Sequence, residues 1–318
     1  MRITVTGGAG FVGANLCRLL TGRGHDVVVL DDLSTSLLSN MDDLEVELRV
    51  GSVLDPAALG AACRDADSIV HLAAVPSVTR SLENPRRSHD TNVTGTLCVL
   101  EAARRTGAHL VVASSSSVYG ANPVLPRAED LVCMPGSPYA AGKLAAESYA
   151  LAYGTSFGLG CLALRLFNVF GPLQRSDHAY AAVVPKFIRA ALFGEPLRVQ
   201  GDGEQSRDFT YVDTAVEILA DSVERRITSE RPVNLAFGTA TSVNELVALL
   251  GELLGRTLPV VTDPPRPGDV RHSRARCDSL RALFPAIEPV PLEVGLRRTI
   301  DWMSALGEPA FTGTGRPA

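Results

Sequence analysis

The chain has 318 residues, of which 46% are hydrophobic, so it can bury one large core or two ordinary ones. Its net charge of −5 and aromatic content of 5% do not favour a nucleic-acid surface. The six cysteines show no CxxC pair and no metal-ligand spacing, so we expect reduced thiols and no metal site. The chain offers no signal peptide and no apolar run of about eighteen residues, so we expect a soluble cytoplasmic protein without membrane contact.

The first predicted strand, residues 2–6, runs directly into a glycine-rich turn and then into a helical pattern. In that turn Gly7 permits a tight bend, Gly10 lets backbone N–H groups approach a pyrophosphate, and Gly13 lets the helix pack close to the sheet. The pattern predicts a dinucleotide site. The alternative is an ordinary turn between a strand and a helix.

The second predicted strand, residues 27–30, follows about twenty residues after the glycines and ends in Asp31. A carboxylate at this position accepts hydrogen bonds from a ribose 2′-OH and repels a 2′-phosphate. We therefore expect NAD rather than NADP.

Strand-like and helix-like patterns alternate further along the chain, which predicts an α/β fold with a Rossmann-type doubly wound parallel sheet and a smaller C-terminal α/β substrate domain. We expect residues 1–170 to bind NAD, joined by part of 209–240, and residues 171–318 to bind the substrate. The predicted strands are 2–6, 27–30, 46–50, 68–73, 109–114, 162–168 and 232–236. The predicted helices are 14–22, 91–106, 138–153 and about 181–193, and the second and third have cap signals at Thr91-Asn92 and Ser137-Pro138. Residues 259–270 are predicted to form an irregular loop.

Tyr139 and Lys143 lie four residues apart in a predicted helix, so they share one face. An ammonium group beside a phenol stabilises the phenolate, which makes Tyr139 a candidate proton acceptor. A run of serines, 114–117, follows a predicted strand, where doubly wound folds bind ligands. Taken alone, the Tyr and Lys pair could be a chance surface pair, and the serines could be a turn.

Six features occur in a fixed order: TGGAGFVG at 6–13, Asp31, HLAA at 71–74, SSSSVYG at 114–120, YAAGK at 139–143 and LRLFNVFGP at 164–172. With this set the chain resembles the extended short-chain dehydrogenase/reductase family, and within it the nucleotide-sugar 4-epimerases, to about residue 303. The resemblance implies that Tyr139 is the catalytic base, that Lys143 holds the nicotinamide ribose and lowers the tyrosine pKa, and that Ser115 hydrogen-bonds the sugar O4. The family reaction removes a hydride from C4 to NAD, rotates the 4-keto sugar and returns the hydride to its other face.

The resemblance also implies the remaining contacts. Phe11, Val12, Leu72, Ala73 and Ala74 would line the cofactor site. Gly51-Ser52 stands where many relatives have an aspartate near the adenine. On the substrate side we expect Ser116, Asn168, Arg175, Arg207, Arg266, Asp269 and Ser273, with Arg207 and Arg266 on the diphosphate of a UDP-sugar.

The resemblance leaves several substrates open. Ser116 and Ser117 stand where related dehydratases and decarboxylases carry an acidic residue, which favours epimerisation. Arg175 resembles an arginine that faces the C6 carboxylate in UDP-glucuronate 4-epimerases, so we place UDP-glucuronate narrowly ahead. Residues 179–186 look more like the UDP-N-acetylhexosamine epimerases, Asn168 replaces a threonine frequent in the uronate enzymes, and Ser273 leaves room at C2. UDP-glucose and UDP-N-acetylglucosamine therefore remain alternatives.

Two further expectations concern assembly and activity. The family often dimerises through helices corresponding to about 91–106 and 138–153, so we expect a homodimer. Some proteins with this fold only sense the dinucleotide, but these typically lack the Tyr and Lys pair.

Overall fold

A computed structural model describes residues 1–176, 181–265 and 270–307. Parts of two predicted substrate motifs lie outside the described residues, namely Arg266, Asp269 and positions 177–180. The strands are β1 (Arg2–Thr6), β2 (Asp26–Asp31), β3 (Glu47–Val50), β4 (Ser68–His71), β5 (His109–Ser115), β6 (Cys161–Leu166), β7 (Val169–Phe170), β8 (Leu197–Gln200), β9 (Ser206–Arg207), β10 (Thr210–Tyr211), β11 (Val233–Leu235), β12 (Thr241–Ser242) and β13 (Val260–Asp263).

The helices alternate with these strands through most of the chain. They are α1 (Phe11–Gly22), α2 (Pro56–Ala62), α3 (Val78–Glu83), α4 (Pro85–His89), α5 (Gly95–Thr106), α6 (Pro138–Phe157), α7 (Val183–Leu192), α8 (Val212–Glu224), α9 (Val243–Leu254), α10 (Asp278–Leu283) and α11 (Leu292–Leu306). Short 3₁₀ turns span Leu38–Met41 and Ser116–Tyr119, and a π-helical turn spans Asp90–Thr94.

Seven strands form one parallel sheet in the order β11-β6-β5-β4-β1-β2-β3. The strand order reverses between β1 and β4, and in doubly wound folds a ligand crevice opens at this point, beyond the carboxyl ends of the strands. The predicted doubly wound α/β fold is confirmed. The division into two domains stays a prediction, although β11 pairs with β6 and so returns the chain to the main sheet.

Apolar side chains of each strand alternate between the two faces of the sheet. In β2, Val27 and Val29 join the core that includes α1 and α8, whereas Val28 and Leu30 join the core that includes α2, α5 and α6. Both faces of the sheet are therefore covered by helices, as a parallel sheet requires.

The C-terminal part adds three two-stranded ladders, in which β7 pairs with β10, β9 with β12 and β8 with β13. The prediction of an irregular segment over 259–270 was wrong for its first residues, because Val260–Asp263 runs parallel to β8. Three of the four residues of β13 are exposed. An exposed edge strand lacks the apolar alternation that identifies a half-buried strand, so its pairing partner decides its structure.

One of the two predicted helix caps is confirmed and the other was wrong. Ser137 Oγ accepts the Ala140 N–H at 3.1 Å, and Pro138 begins α6. The helix predicted from residue 91 instead begins at Gly95, after the π-helical turn. Asn92 is buried, and its Oδ1 accepts the Val75 N–H at 2.8 Å, so it holds the loop after β4 rather than capping a helix.

Candidate active site

The glycine turn after β1 is closely packed. Gly7 has a φ of +72°, and a Cβ there would lie 2.6 Å from the backbone N of Ala73. Gly13 packs against the backbone of Gly7 and Gly8 so closely that a side chain would overlap it. Helix α1 begins directly after Gly10, so no side chain of the capping residue covers its first N–H groups. These groups can receive a phosphate, and the helix dipole favours its charge.

The Asp31 carboxylate lies at the carboxyl end of β2 and is only 7% exposed. Its Oδ2 accepts the Ala9 N–H at 3.0 Å, and its Oδ1 accepts the Leu33 N–H at 2.8 Å and the Ser36 hydroxyl at 2.6 Å. The carboxylate therefore ties the glycine turn to the loop after β2. It also places a negative charge at the edge of the groove described next.

A groove of about 260 Å³ follows the carboxyl ends of β1, β2, β3 and β4. Every cofactor residue predicted from the sequence except Lys143 lines it: Gly7, Gly10, Phe11, Val12, Gly13, Asp31, Leu72, Ala73 and Ala74. Gly51 and Ser52 line it as well. The groove fits a dinucleotide, because the glycine turn and the N-terminus of α1 leave space and N–H groups for its phosphates. The Asp31 carboxylate favours a ribose without a 2′-phosphate.

Several polar residues of the groove were missed in the sequence, among them Ser36, Asn40 and Arg80. Ser36 donates to Asp31, Asn40 Nδ2 donates to the Ala9 carbonyl at 2.8 Å, and Arg80 reaches the groove from α3. The run of small hydroxyl residues after Asp31 could have indicated Ser36. Asn40 and Arg80 carry no local signal, because the fold alone brings them to the groove.

The predicted catalytic residues meet beyond β5. Tyr139 lies in the first turn of α6 and is hydrogen-bonded through its hydroxyl to Ser115, the last residue of β5. Lys143 lies one turn further along α6, is buried, and donates from Nζ to the Ala113 carbonyl at 2.8 Å. Ser115 Oγ also accepts the Ser117 N–H at 3.2 Å. The structure thus brings Ser115, Tyr139 and Lys143 together.

Burial changes the proton affinities of this group in opposite directions. Burial raises the pKa of Tyr139, while the hydrogen bond from Ser115 favours the phenolate and lowers it. Burial lowers the pKa of Lys143 to about 8, because it penalises the charged ammonium. A lysine with that pKa still carries most of its positive charge at neutral pH. The hydrogen bond offsets only part of the effect of burial, so the pKa of Tyr139 is raised overall, and the lowering expected from Lys143 is not among its causes. The group therefore combines a phenol with a hydroxyl that favours its phenolate, and a cation lies one turn further along α6.

A second cavity, of about 610 Å³, lies in the C-terminal part. Two of the predicted substrate residues, Asn168 and Arg207, line it together with Lys186, which the sequence analysis missed. Asn168 has a φ of +31° and donates from Nδ2 to the Asp208 carbonyl at 3.0 Å. Arg207 donates to the Ser206 carbonyl at 2.9 Å. Among the described residues, the lining holds four cations, of which Arg189 and Arg198 pair with the carboxylates of Glu195 and Asp263. The excess of cations over carboxylates suits a diphosphate.

Arg175 does not line the second cavity but the dinucleotide groove, together with Leu173 and Arg80. The next residue, Ser176, lines the second cavity. The segment that carries them is held by Asn15 Nδ2, which donates to the Pro172 carbonyl at 3.1 Å. Two consecutive residues, Arg175 and Ser176, therefore line the groove and the second cavity respectively.

The remaining predicted substrate residues are placed less directly. Ser116 is half-buried in the turn after β5. Ser273 is half-buried and donates its N–H to the Ser206 carbonyl at 3.0 Å, beside Arg207. Arg266 and Asp269 lie outside the described residues.

Among residues 1–176, 181–265 and 270–307, no three His, Cys, Asp or Glu side chains are grouped so that they could hold a metal ion. In the same part of the chain no helix is long and apolar enough to cross a membrane. All six cysteines carry free thiols.

The position of Asp31 leads to a prediction about the cofactor. Because its charge would face a 2′-phosphate, we expect the protein to bind NAD at least about tenfold more tightly than NADP. Removing bound nucleotide and measuring both dissociation constants checks this. Asp31→Asn should reduce the preference, whereas Asp42→Asn, a change in an exposed carboxylate that does not line the groove, should keep it. Equal affinities in the unmodified protein would contradict the role of Asp31.

Comparisons with known proteins agree with this geometry. Residues 3–236 match the NAD dependent epimerase/dehydratase family. The UDP-glucose 4-epimerase of Mycolicibacterium smegmatis is 36% identical over 309 residues, covering 95% of this chain and 98% of that protein. UDP-glucuronic acid decarboxylase 1 of Xenopus tropicalis is 35% identical over 318 residues, covering 95% of this chain and 72% of that protein.

Among solved structures, the UDP-N-acetylglucosamine 4-epimerase of Methanobrevibacter ruminantium M1, in complex with UDP-N-acetylmuramic acid, superposes with a TM-score of 0.91. It is 35% identical, and the match covers 96% of this chain and 99% of that one. The family match spans the glycine turn, Asp31, Ser115, Tyr139 and Lys143. On these grounds the chain belongs to the NAD-dependent epimerase/dehydratase family.

Proposed function

We propose that the chain is a UDP-sugar 4-epimerase, an isomerase, and that it interconverts UDP-glucuronate and UDP-galacturonate. The observation that carries the proposal is the meeting of Tyr139, Ser115 and Lys143 at the end of β5. This strand pairs with β4, and the residues directly after β4 line the groove that fits NAD. The similar proteins support 4-epimerisation as the reaction, since two of the three compared above are UDP-sugar 4-epimerases.

In this proposal Tyr139 takes the proton from the 4-hydroxyl of the sugar and later returns it. NAD, when bound, supplies the hydride acceptor and donor at C4. Ser115 holds the sugar oxygen at the tyrosine, and its hydrogen bond favours the phenolate. Lys143 adds a positive charge one turn away, and it would hold a ribose hydroxyl of the cofactor with a proton that is not used in its bond to Ala113.

The serines after β5 favour epimerisation over decarboxylation. A decarboxylase or dehydratase of this family needs an acidic group beside the active-site hydroxyl, and Ser116 and Ser117 stand there. Ser117 has no carboxyl group, and its Oγ donates a hydrogen bond to Ser115 Oγ at 2.9 Å. Its hydroxyl therefore supports Ser115 and cannot act as an acid toward the sugar. The 4-keto sugar is then simply reduced again.

The second cavity is proposed to hold the UDP moiety. Arg207 and Lys186 supply positive charge for the diphosphate, and Asn168 supplies a hydrogen-bonding side chain. The half-buried position of Arg207 would reduce the screening of this charge by water. Arg266, which matches a family arginine, is proposed to complete the clamp.

The choice of a uronate rests on Arg175. This cation lines the dinucleotide groove, and the next residue, Ser176, lines the second cavity. With NAD in the groove and UDP in the cavity, we place the sugar near Arg175. A buried C6 carboxylate needs a cationic partner. The decarboxylase among the relatives also has a UDP-uronate in its name.

A panel of UDP-sugars tests the proposal. Purified protein supplied with NAD should interconvert UDP-glucuronate and UDP-galacturonate with a higher kcat/KM than the UDP-glucose or UDP-N-acetylglucosamine pairs. The products should retain the carboxylate, which distinguishes epimerisation from loss of CO₂. Turnover of a neutral UDP-hexose alone would move the assignment to that sugar, and Ser273 leaves space for an N-acetyl group. Release of CO₂ would contradict the epimerase assignment.

We also propose a cytoplasmic homodimer that pairs through α5 and α6. The free thiols suit a reducing compartment, and α6 exposes Tyr149 and Phe157, which are 42% and 57% accessible. Light scattering measures the mass in solution, and a monomeric mass would contradict the dimer.

A further inference from the structure

The end of β5 extends past its neighbour on one side. Pairing between β4 and β5 stops at Val112, whereas pairing with β6 continues to Ser115. Residues 113–115 therefore have a strand partner only on the β6 side within the described sheet. Since Ser115 stands at this end, its position depends on what else holds the strand there.

Helix α6 holds this part of β5 through two side chains. Lys143 Nζ donates to the Ala113 carbonyl at 2.8 Å, and Glu147 Oε2 accepts the Ser114 hydroxyl at 2.7 Å. Tyr139, Lys143 and Glu147 follow each other at intervals of four residues, so they form one stripe along the helix. The stripe meets Ser115, Ala113 and Ser114 in turn.

Glu147 is also half of a buried ion pair. Arg165, which lies opposite Ser114 in the β5–β6 register, donates from Nε to Oε2 at 2.9 Å and from Nη2 to Oε1 at 2.7 Å. The side chains of Glu147 and Arg165 are each 3% exposed. The other side of Arg165 is held as well, because its guanidinium lies 4.7 Å from the centre of the Tyr119 ring.

A buried ion pair of this kind is not explained by stability alone. Desolvation of two charges often cancels their attraction, so well-packed apolar residues would serve as well or better. Such a pair does, however, impose a defined geometry, because the guanidinium and the carboxylate fit in one orientation. Here the geometry is imposed on the residue that precedes Ser115.

We propose that Glu147, Arg165 and Ser114 are positioning residues that hold the strand carrying Ser115 against the helix carrying Tyr139. The inference rests on the proposed function, because it assigns these three residues to the geometry of the proposed catalytic pair. They touch neither the substrate nor the cofactor in this scheme. Their effect reaches the reaction through the hydrogen bond between Ser115 and Tyr139.

The ionisation of Tyr139 reports on that hydrogen bond. Three titratable groups adjoin the residues that hold this end of β5: Glu147 on α6 accepts from Ser114, Arg165 on β6 pairs with Glu147, and His71 on β4 is close enough to Lys143 for that charge to lower its pKa. Burial lowers the pKa of His71 to about 3, with a smaller effect of Lys143, so this imidazole stays neutral through the range of the experiment. If Ser115 moves away, the phenolate loses a donor and the pKa of Tyr139 rises.

Ser114→Ala is the informative variant, since it removes the bond to Glu147 but leaves the ion pair with Arg165 in place. Its matched control is Ser222→Ala, which removes a buried serine hydroxyl bonded to the Ile218 carbonyl on α8. Glu147→Gln is less suitable, because it leaves Arg165 buried without a counter-charge and can unfold the protein.

The experiment follows tyrosine ionisation by phenolate absorbance in the NAD-loaded protein. Subtracting the same titration of a Tyr139→Phe partner variant isolates Tyr139. We expect Ser114→Ala to raise the midpoint by about 0.5–1 pH unit and Ser222→Ala to leave it unchanged. Equal midpoints in Ser114→Ala and the unmodified protein would overturn the inference.

A kinetic readout separates this inference from the proposed function. Ser114→Ala should lower kcat about tenfold or more with little change in KM, because a displaced catalytic group affects the chemical step. A loss of kcat no larger than that of Ser222→Ala would also count against it. Absence of epimerisation in the unmodified protein would refute the proposed function, while the absorbance titration still decides whether Ser114 positions Ser115.

Discussion

Tyr139→Phe is expected to lower kcat by about two to four decades, the usual contribution of a general acid–base group. The change deletes the hydroxyl that Ser115 contacts and keeps the aromatic ring in the first turn of α6. Binding of NAD and of UDP-sugars should stay near the level of the unmodified protein, because all but one of the predicted contacts of the two ligands lie on other residues. Turnover assays and dissociation constants measured on the same preparation check both expectations.

The matched control for this variant is Tyr149→Phe on the same helix. Tyr149 is 42% exposed, and the same atom is removed there without touching Ser115 or Lys143. Its kcat should equal that of the unmodified protein. A Tyr139→Phe enzyme with near-normal kcat would show that another group accepts the proton.

The parts of the site that could be predicted from the sequence are those that short stretches of chain determine. The glycine turn follows β1 directly, Asp31 is the last residue of β2, and the serines lie at the end of β5 and just after it, so finding the strands was enough to find the residues. Tyr139 and Lys143 could be paired because helical spacing alone places them on one face. Ser137 and Pro138 predicted the start of that helix for a similarly local reason.

Other features depend on contacts between distant segments and left no local pattern. Glu147 and Arg165 meet because α6 packs over the register of β5 and β6. Asn92 looked like a cap and instead bonds Val75, which a single sequence does not reveal. Strand β13 forms because β8 lies beside it. In each case the structure of one segment is decided by its tertiary partner rather than by its own propensity.

Arg175 was found from a local motif, but its position depends on contacts between distant segments. Its motif indicated a contact with the sugar carboxylate, whereas the structure places it on the dinucleotide groove, beside Arg80. A cation there can contact either the sugar or the pyrophosphate of NAD. The two roles make different predictions for one variant, so substrate identity can be tested at this residue.

If Arg175 pairs with the C6 carboxylate, Arg175→Ala should cost roughly 2–4 kcal/mol in kcat/KM for UDP-glucuronate, because the carboxylate loses its partner in a partly desolvated place. Turnover of UDP-glucose should change little, since its hydroxymethyl group is neutral. Comparing both substrates in one variant separates the carboxylate contact from general damage to the loop.

The control for this prediction is Arg80→Ala, which removes a second cation from the same groove. NAD affinity is measured for both variants, because a contact with the pyrophosphate would weaken cofactor binding and lower turnover of both substrates equally. A selective loss on UDP-glucuronate with unchanged NAD affinity identifies Arg175 as the residue that recognises the uronate. Equal losses on both substrates with weaker NAD binding would assign Arg175 to the cofactor and remove the observation on which the choice of a uronate rests, which would favour a neutral UDP-hexose as the substrate.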